Sequence, residues 1–201
     1  MAPVPARRLG WTLGPSNADV NLACFLDYTC PFCTKQYKTL REVVYPKYAN
    51  RSFSLTVYQM PQPWHPQSTI CHEAALAVGK IGGSEAFYKF SDQLFEKAQD
   101  NFYDAQTFDM TRNQIVDKLA ALAAESGAAS AEEVKAMISM VANSDKKNAG
   151  TQVTQDIKYY VKFARQNGIH VSPTCTLNGL VFDSSSSWQI EDWDKLLEPL
   201  F

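Results

Sequence analysis

Val20-Asn21-Leu22-Ala23-Cys24-Phe25-Leu26-Asp27-Tyr28-Thr29-Cys30-Pro31-Phe32-Cys33 is the stretch from which the rest of the chain can be read. Residues 20–26 form a short, mostly apolar run and read as a buried strand. The run gives way at Asp27-Tyr28-Thr29, and a Cys-x-x-Cys follows at once. Pro31 suits the first turn of a helix, where its missing N–H leaves nothing unsatisfied. Beyond it Cys33, Tyr37, Leu40 and Val44 recur at i, i+4, i+7 and i+11, one stripe facing a core. Cys30 therefore falls where a strand hands over to a helix.

That position has a chemical consequence. Disulfide exchange needs a thiolate that attacks and a second thiol that reaches the resulting mixed disulfide. Unpaired N–H groups and the positive end of the helix dipole favour thiolate at Cys30. A free cysteine has a pKa of about 8.5, and such placement can lower it to roughly 3.5–7.5. Cys33, one turn in and on the core-facing stripe, is shielded and keeps its proton longer. Two other accounts of the pair stay open on the motif alone. One is half a zinc site, for which His65, His72 and Cys71 would have to be recruited at a spacing that matches no common site. The other is two unremarked thiols on a helix.

Working outward, Phe53-Ser54-Leu55-Thr56-Val57-Tyr58 alternates and reads as a second strand, so strand, helix, strand suggests a parallel βαβ unit. From about residue 65 to 166 the pattern is helical. Ala74, Ala75 and Val78 mark one face, and Ile115, Val116, Leu119 and Leu122 another. Ser130 with Glu133 reads as a capping box before Val134, Met137, Ile138 and Val141. Val153, Ile157, Tyr160, Val161 and Ala164 give a longer helix that stops at Asn167-Gly168. Short strands are predicted at Thr174–Leu177 and Leu180–Phe182, joined by the hairpin turn Asn178-Gly179. Ser184–Ser187 reads as a loop, and Ser187 as the cap of a last helix carrying Ile190, Trp193 and Leu197.

The chain has 201 residues, 45% of them hydrophobic and 20% charged, an ordinary globular balance. With 19 Lys and Arg against 21 Asp and Glu the net charge is -2, which suggests neither a nucleic-acid nor an acidic-membrane surface. Met1-Ala2-Pro3-Val4-Pro5-Ala6-Arg7-Arg8 is charged but has no apolar run behind it, so no signal peptide is read. No window approaches the roughly 20 apolar residues of a membrane span. The expectation is a soluble protein, cytoplasmic or otherwise intracellular, with a secretory compartment open if a leader has been replaced. Asn50-Arg51-Ser52 matches a glycosylation triplet, a pattern that arises often by chance. The five cysteines are odd in number, and Cys24, Cys71 and Cys175 lie in apolar or helical surroundings. They read as reduced, buried thiols beside one reactive pair.

Three stretches together carry a family resemblance. Leu13-Gly14-Pro15-Ser16-Asn17-Ala18-Asp19-Val20, continuing through Phe25-Leu26-Asp27-Tyr28-Thr29 to the CxxC, resembles the start of DsbA-like thioredoxin domains. Trp64-His65-Pro66 before Ala74-Ala75-Leu76-Ala77 resembles the family's approach to its helical insertion. Gly168-Ile169-His170-Val171-Ser172-Pro173-Thr174, then Asn178-Gly179, resembles its late proline loop. The resemblance implies an α/β thioredoxin fold with an inserted helical domain. A discontinuous thioredoxin-like domain would span 1–62 and 167–201, with the helical insertion over 63–166. It implies Cys30 as nucleophile and Cys33 as resolving thiol, with Pro31, Phe32, Ser172 and Pro173 contacting substrate. Pro173 would be a cis-proline facing the disulfide, and the backbone of Ser172 would pair with the bound chain. No cofactor and no resident metal is implied.

This sequence departs from the family pattern in three places. Val171-Ser172 stands where Gly-Thr is common, and Phe32 where strong oxidants have histidine. Cys24 stands six residues before Cys30, where many thioredoxin-fold enzymes bury an acid; a buried thiol there is a poor proton acceptor. Asp27 reads as a strand-end or turn residue, and His65 as either a cleft-lining or an ordinary surface-loop histidine; Tyr28, Phe32 and Trp64 suit either an apolar rim for unfolded substrates or plain core, the commoner use of such clusters. The leading expectation is a dithiol-disulfide oxidoreductase acting on protein thiols and disulfides, with glutathione as a further partner. A glutathione-dependent transferase or isomerase, and a non-catalytic binding or chaperone module, are the alternatives.

Overall fold

Strand β2 (Val20–Leu26) is the middle strand of a five-stranded sheet. The computed structural model describes residues 4–141 and 145–201; the first three residues of the charged N-terminal stretch lie outside these. The sheet order is β1-β3-β2-β4-β5, with β1 at Trp11–Leu13, β3 at Phe53–Gln59, β4 at Thr174–Leu177 and β5 at Leu180–Phe182. β2 and β3 are parallel in register from Val20↔Phe53 to Leu26↔Gln59, and the remaining pairings are antiparallel. The crossover between β2 and β3 is helical. It consists of α1 (Pro31–Thr39), a π-helical turn at Leu40–Val44, and α2 (Tyr45–Tyr48). Pro46 explains the wide turn. It has no N–H to give to the carbonyl four residues back and its ring crowds that carbonyl, so Tyr45 reaches back five residues to the Leu40 oxygen instead. The stripe Cys33, Tyr37, Leu40 and Val44 is buried throughout, as its spacing predicts.

Strand β3 departs from its alternating pattern. Ser54 and Thr56 are buried along with their apolar neighbours, because a central strand of this sheet is covered on both faces. Their hydroxyls accept from the Asn21 side chain at 2.8 and 3.0 Å, which makes that burial tolerable. Strand β1 is an addition to the sequence reading. Three residues are too few to show a period, and the strand is set off by Gly10 and Gly14, both at positive φ (91° and 83°).

The helical stretch between β3 and β4 contains α3 (Ser68–Asn101), α4 (Asp104–Thr107), α5 (Arg112–Glu125), α6 (Ala131–Ile138) and α7 (Thr154–Gln166). α3 is broken at Gly83, whose φ of 75° and ψ of -163° no helix accommodates. In its first half residues 70–79 are all buried, His72 and Glu73 included, so the one-sided face predicted there is too narrow. It packs close on β1: a Cβ at Gly79 would sit 2.4 Å from the Trp11 ring. The Tyr88 hydroxyl lies 2.7 and 3.0 Å from the Trp11 and Leu55 carbonyl oxygens, tying α3 to two strands. The side chains of the sheet, α1, α3, α5 and α6 merge into one continuous core.

Helix ends follow the sequence with two exceptions. α7 closes on a Schellman turn, with the Ile169 N–H on the Ala164 carbonyl at 2.9 Å and Gly168 at φ 70°. The β4–β5 turn places Asn178 and Gly179 at φ 48° and 87°, the left-handed pair of a tight hairpin. At α6 only half the capping box forms, because Glu133 accepts from the Ser130 hydroxyl rather than from its backbone, and Val141 lies beyond the helix. The last helix, α8 (Ile190–Leu197), is capped by Gln189 with Asp192, not by Ser187.

Candidate active site

The turn from β2 into α1 puts Cys30 at the N-cap of α1, with Pro31 at N1. Cys30 is 8% exposed, whereas Cys33 is fully buried. Both are free thiols here. The two sulfurs differ in character. The Cys30 thiol is lowered to about 6: the Cys33 side chain donates to its sulfur, and the backbone N–H groups of Cys33 and Phe32 add to this. Partial burial and the charge of Asp27 oppose that lowering. Cys33 is pushed well above the ordinary thiol range by burial and by its bond to Cys30, even though the Asp27 N–H donates to its sulfur at 3.3 Å. One thiol is therefore poised as a thiolate at neutral pH and the other held protonated.

Facing them is the loop before β4. The Ser172–Pro173 bond is cis, and the Cys30 thiol lies 3.8 Å from the Ser172 carbonyl oxygen. Gln62, from the loop after β3, donates its side-chain N–H to the Ser172 hydroxyl at 3.1 Å. Three segments distant in sequence thus converge on the pair: the 27–33 turn, the loop carrying Gln62, and the Ser172–Pro173 loop.

Asp27 is more than a strand end. Its side chain is fully buried. One carboxylate oxygen accepts from the Thr29 N–H (3.0 Å), the Thr29 hydroxyl (2.9 Å) and the Ser68 hydroxyl (2.8 Å). The other accepts from the Gln62 N–H at 3.0 Å. His72, fully buried on α3, sets Nε2 3.5 Å from Asp27 and Nδ1 2.6 Å from the Gln59 side-chain oxygen. Burial works to raise the Asp27 carboxyl, but the His72 contact and the Thr29 and Ser68 bonds outweigh it and hold the group below its ordinary value.

A family model described as thioredoxin matches residues 8–199. This chain belongs to the thioredoxin family. Solved structures agree in fold. A Pseudomonas syringae protein provisionally assigned as a protein-disulfide isomerase is 26% identical, with a TM-score of 0.72 over 92% of this chain and 96% of its own. Oxidised BdbD of Bacillus subtilis is 20% identical, with a TM-score of 0.71 over 95% and 92% of the two chains. DsbA of Chlamydia trachomatis is 14% identical, with a TM-score of 0.70 over 98% and 93%. No curated protein sequence matches the chain. The α/β thioredoxin fold with a DsbA-like helical insertion, expected from the three sequence stretches, is the fold observed.

In this thioredoxin-family chain the cysteines outside the motif need a correction. Cys24 and Cys175 read from the sequence as reduced, buried thiols; they are joined by a disulfide. They are register partners on β2 and β4, with Cα atoms 4.4 Å apart, the close approach of directly opposed antiparallel residues. The Gln36 side chain on α1 donates to the Cys175 sulfur at 3.4 Å. A disulfide sulfur holds no exchangeable proton, so Cys24 is not the weak acid-base group expected at its position. Cys71 is the buried free thiol anticipated, raised by burial.

The remaining residues sort by exposure. Phe32 on α1 and Val171, next to Ser172, are exposed (63% and 59%), and Pro31 is exposed at the head of α1. Of the two readings for the aromatics, Tyr28 follows the core one: its ring is buried against His72 and Phe95 and its hydroxyl bonds Ser91 at 2.8 Å. His65 pairs with Asp104 at 3.2 Å. Asp27, Gln62 and His72 are the site residues that sequence reasoning missed. The sequence signal was a lone carboxylate between an apolar strand and Thr29, a pairing suited to a turn in which the side chain bonds backbone two residues on. Among the described residues no group of three or more His, Cys, Asp or Glu is gathered to hold a metal ion, and no helix is long and apolar enough to cross a membrane.

The difference between the two thiols sets an expected result. A short iodoacetamide pulse below pH 7 labels Cys30 first, at a rate that rises through pH about 6 and then levels off, because the thiolate reacts. Peptide mapping reads this, and faster labelling of Cys71 would overturn the assignment of the reactive thiol.

Proposed function

We propose that this chain is a dithiol-disulfide oxidoreductase that exchanges disulfides with protein substrates through Cys30 and Cys33. The observation that carries the reading is the lowered Cys30 thiol at a helix N-terminus, 3.8 Å from the carbonyl that precedes the cis Pro173. In the reducing direction the Cys30 thiolate attacks a substrate disulfide, forming a mixed disulfide and releasing one substrate thiolate. Cys33 then loses its proton and attacks the Cys30 sulfur. The Cys30–Cys33 disulfide forms, the second substrate thiolate leaves, and two electrons have passed to the substrate. Oxidation of a substrate dithiol is the same sequence reversed.

The groups around the thiols suit an extended polypeptide. Phe32 and Val171 offer apolar surface, Pro31 shapes the head of α1, and the Ser172–Pro173 backbone runs beside the reacting sulfur. The names of the similar P. syringae, B. subtilis and C. trachomatis proteins support a redox enzyme of this kind. The buried Cys24–Cys175 disulfide favours a compartment where disulfides persist, against the intracellular expectation.

Insulin turbidity with dithiothreitol as electron donor, run beside glutathione conjugation to a model electrophile, tests the reading. Accelerated insulin precipitation without conjugation is expected. Conjugation without precipitation would replace the proposal with a glutathione transferase, and neither activity would leave a binding module.

A further inference from the structure

Burying a carboxylate is costly, and a strand end has no need of one. Asp27 is nonetheless fully buried, and its two ends face different ways. Its N–H reaches the Cys33 sulfur at 3.3 Å, while its carboxylate gathers donors from the turn, from Gln62 and from Ser68 at the start of α3. His72 stands behind it, with an Nε2 that makes no hydrogen bond and lies 3.5 Å from the carboxylate. The same network reaches the opposite wall of the site, because Gln62 also bonds the Ser172 hydroxyl. We propose that Asp27 is a positioning residue that sets the redox poise of the dithiol: its amide holds the Cys33 sulfur, and its fixed negative charge opposes the thiolate on Cys30. The inference rests on the reading of Cys30 and Cys33 as the reactive pair.

The electrostatic sign follows from which redox form carries charge. The reduced site bears a thiolate at neutral pH, whereas the disulfide is neutral. A buried negative charge nearby disfavours the reduced form alone and shifts the pair toward disulfide. The other titratable groups packed around Asp27 do not cancel this. Tyr28 beside His72, and Cys71 on α3, are both pushed by burial toward their neutral forms. Cys33 is likewise held protonated. His72 meets the carboxylate at Oδ1, 3.5 Å away, whereas the Cys33 sulfur is held by the Asp27 amide.

Asp27→Asn removes the charge at nearly constant shape. The amide oxygen can keep the Thr29 and Ser68 donors, while its NH2 faces the Gln62 N–H, so some stability is lost. Ser68→Ala is the matched control, losing a hydrogen bond to the same carboxylate with the charge retained. The readouts are the Cys30 thiolate titration, followed by alkylation rate against pH, and the dithiol-disulfide ratio at fixed glutathione poise. Asp27→Asn is expected to move the Cys30 midpoint down by about one pH unit, with alkylation at pH 5 several-fold faster and the ratio displaced toward dithiol. Ser68→Ala is expected to lower Tm and leave the midpoint in place. Asp27→Ser repeats the charge removal with a smaller side chain should the asparagine variant not fold. A midpoint unmoved or raised on charge removal, or one moved equally by Ser68→Ala, overturns the proposal. The titration needs no substrate, so a chain inactive toward insulin whose Cys30 midpoint falls in Asp27→Asn refutes the proposed function while the electrostatic role stands.

Discussion

Cys30→Ser will abolish disulfide exchange, a loss on the order of a thousandfold or more, whereas Cys33→Ser will still attack but stall at the mixed disulfide, before a turnover is complete. Both expectations follow from the unequal sulfurs. Cys30 is the thiol with a lowered pKa and a route to the surface beside the Ser172–Pro173 loop, so no other group can form the mixed disulfide. Cys33 is buried behind it and acts on the Cys30 sulfur. Cys33→Ser keeps a hydroxyl donor beside Cys30, whereas Cys33→Ala removes the strongest stabiliser of the Cys30 thiolate, so the first attack by Cys33→Ala should need a higher pH than in the parent. Rates come from insulin reduction. The stalled species is read by intact-mass spectrometry, which should show substrate or glutathione on Cys30. Residual multiple turnover in Cys30→Ser would place the nucleophile elsewhere.

Replacing Cys24 and Cys175 together by alanine will destabilise the fold by about 3–5 kcal/mol. The bond closes a loop with a sequence separation of 151 residues, which in the chain-entropy account restricts the unfolded state strongly. It also clamps β2, which leads into Cys30, to β4, which follows Pro173, so both walls of the site depend on it. Gln36 would lose the sulfur it bonds, leaving its buried amide short of a partner. Guanidinium unfolding with Cys30 and Cys33 kept as dithiol isolates the effect. A parallel thiol count on the denatured parent should then give the three free cysteines, Cys30, Cys33 and Cys71. Equal stability of variant and parent, or five reactive thiols in the parent, would contradict the bond.

What the sequence disclosed and what it hid follow from range. The β2 run, the Cys30–Cys33 motif and Pro31 are local signals, and they locate the strand-to-helix turn with no knowledge of the rest. The same holds for Gly168 and for Asn178-Gly179, where the residue types match the left-handed backbone they adopt. Trp11–Leu13 escaped notice because a three-residue strand carries no period. The Cys24–Cys175 bond depends on the register of β2 against β4, which no local pattern reveals, and the odd cysteine count argued against a framework. Asp27 illustrates a third kind of gap. Its partners Gln62, Ser68 and His72 come from 35 to 45 residues away, so its burial is a property of the assembled fold. In isolation a carboxylate after an apolar strand reads as an exposed turn residue.

The most direct test of the account is a redox titration of the intact chain in glutathione buffers, with thiols trapped by a mass tag and assigned by peptide mapping. The expected result is one two-electron transition confined to Cys30 and Cys33, with Cys71 reduced and Cys24–Cys175 oxidised on both sides of it. A chain in which Cys30 and Cys33 stay as thiols across the full range, or pair with other cysteines in place of each other, would contradict it.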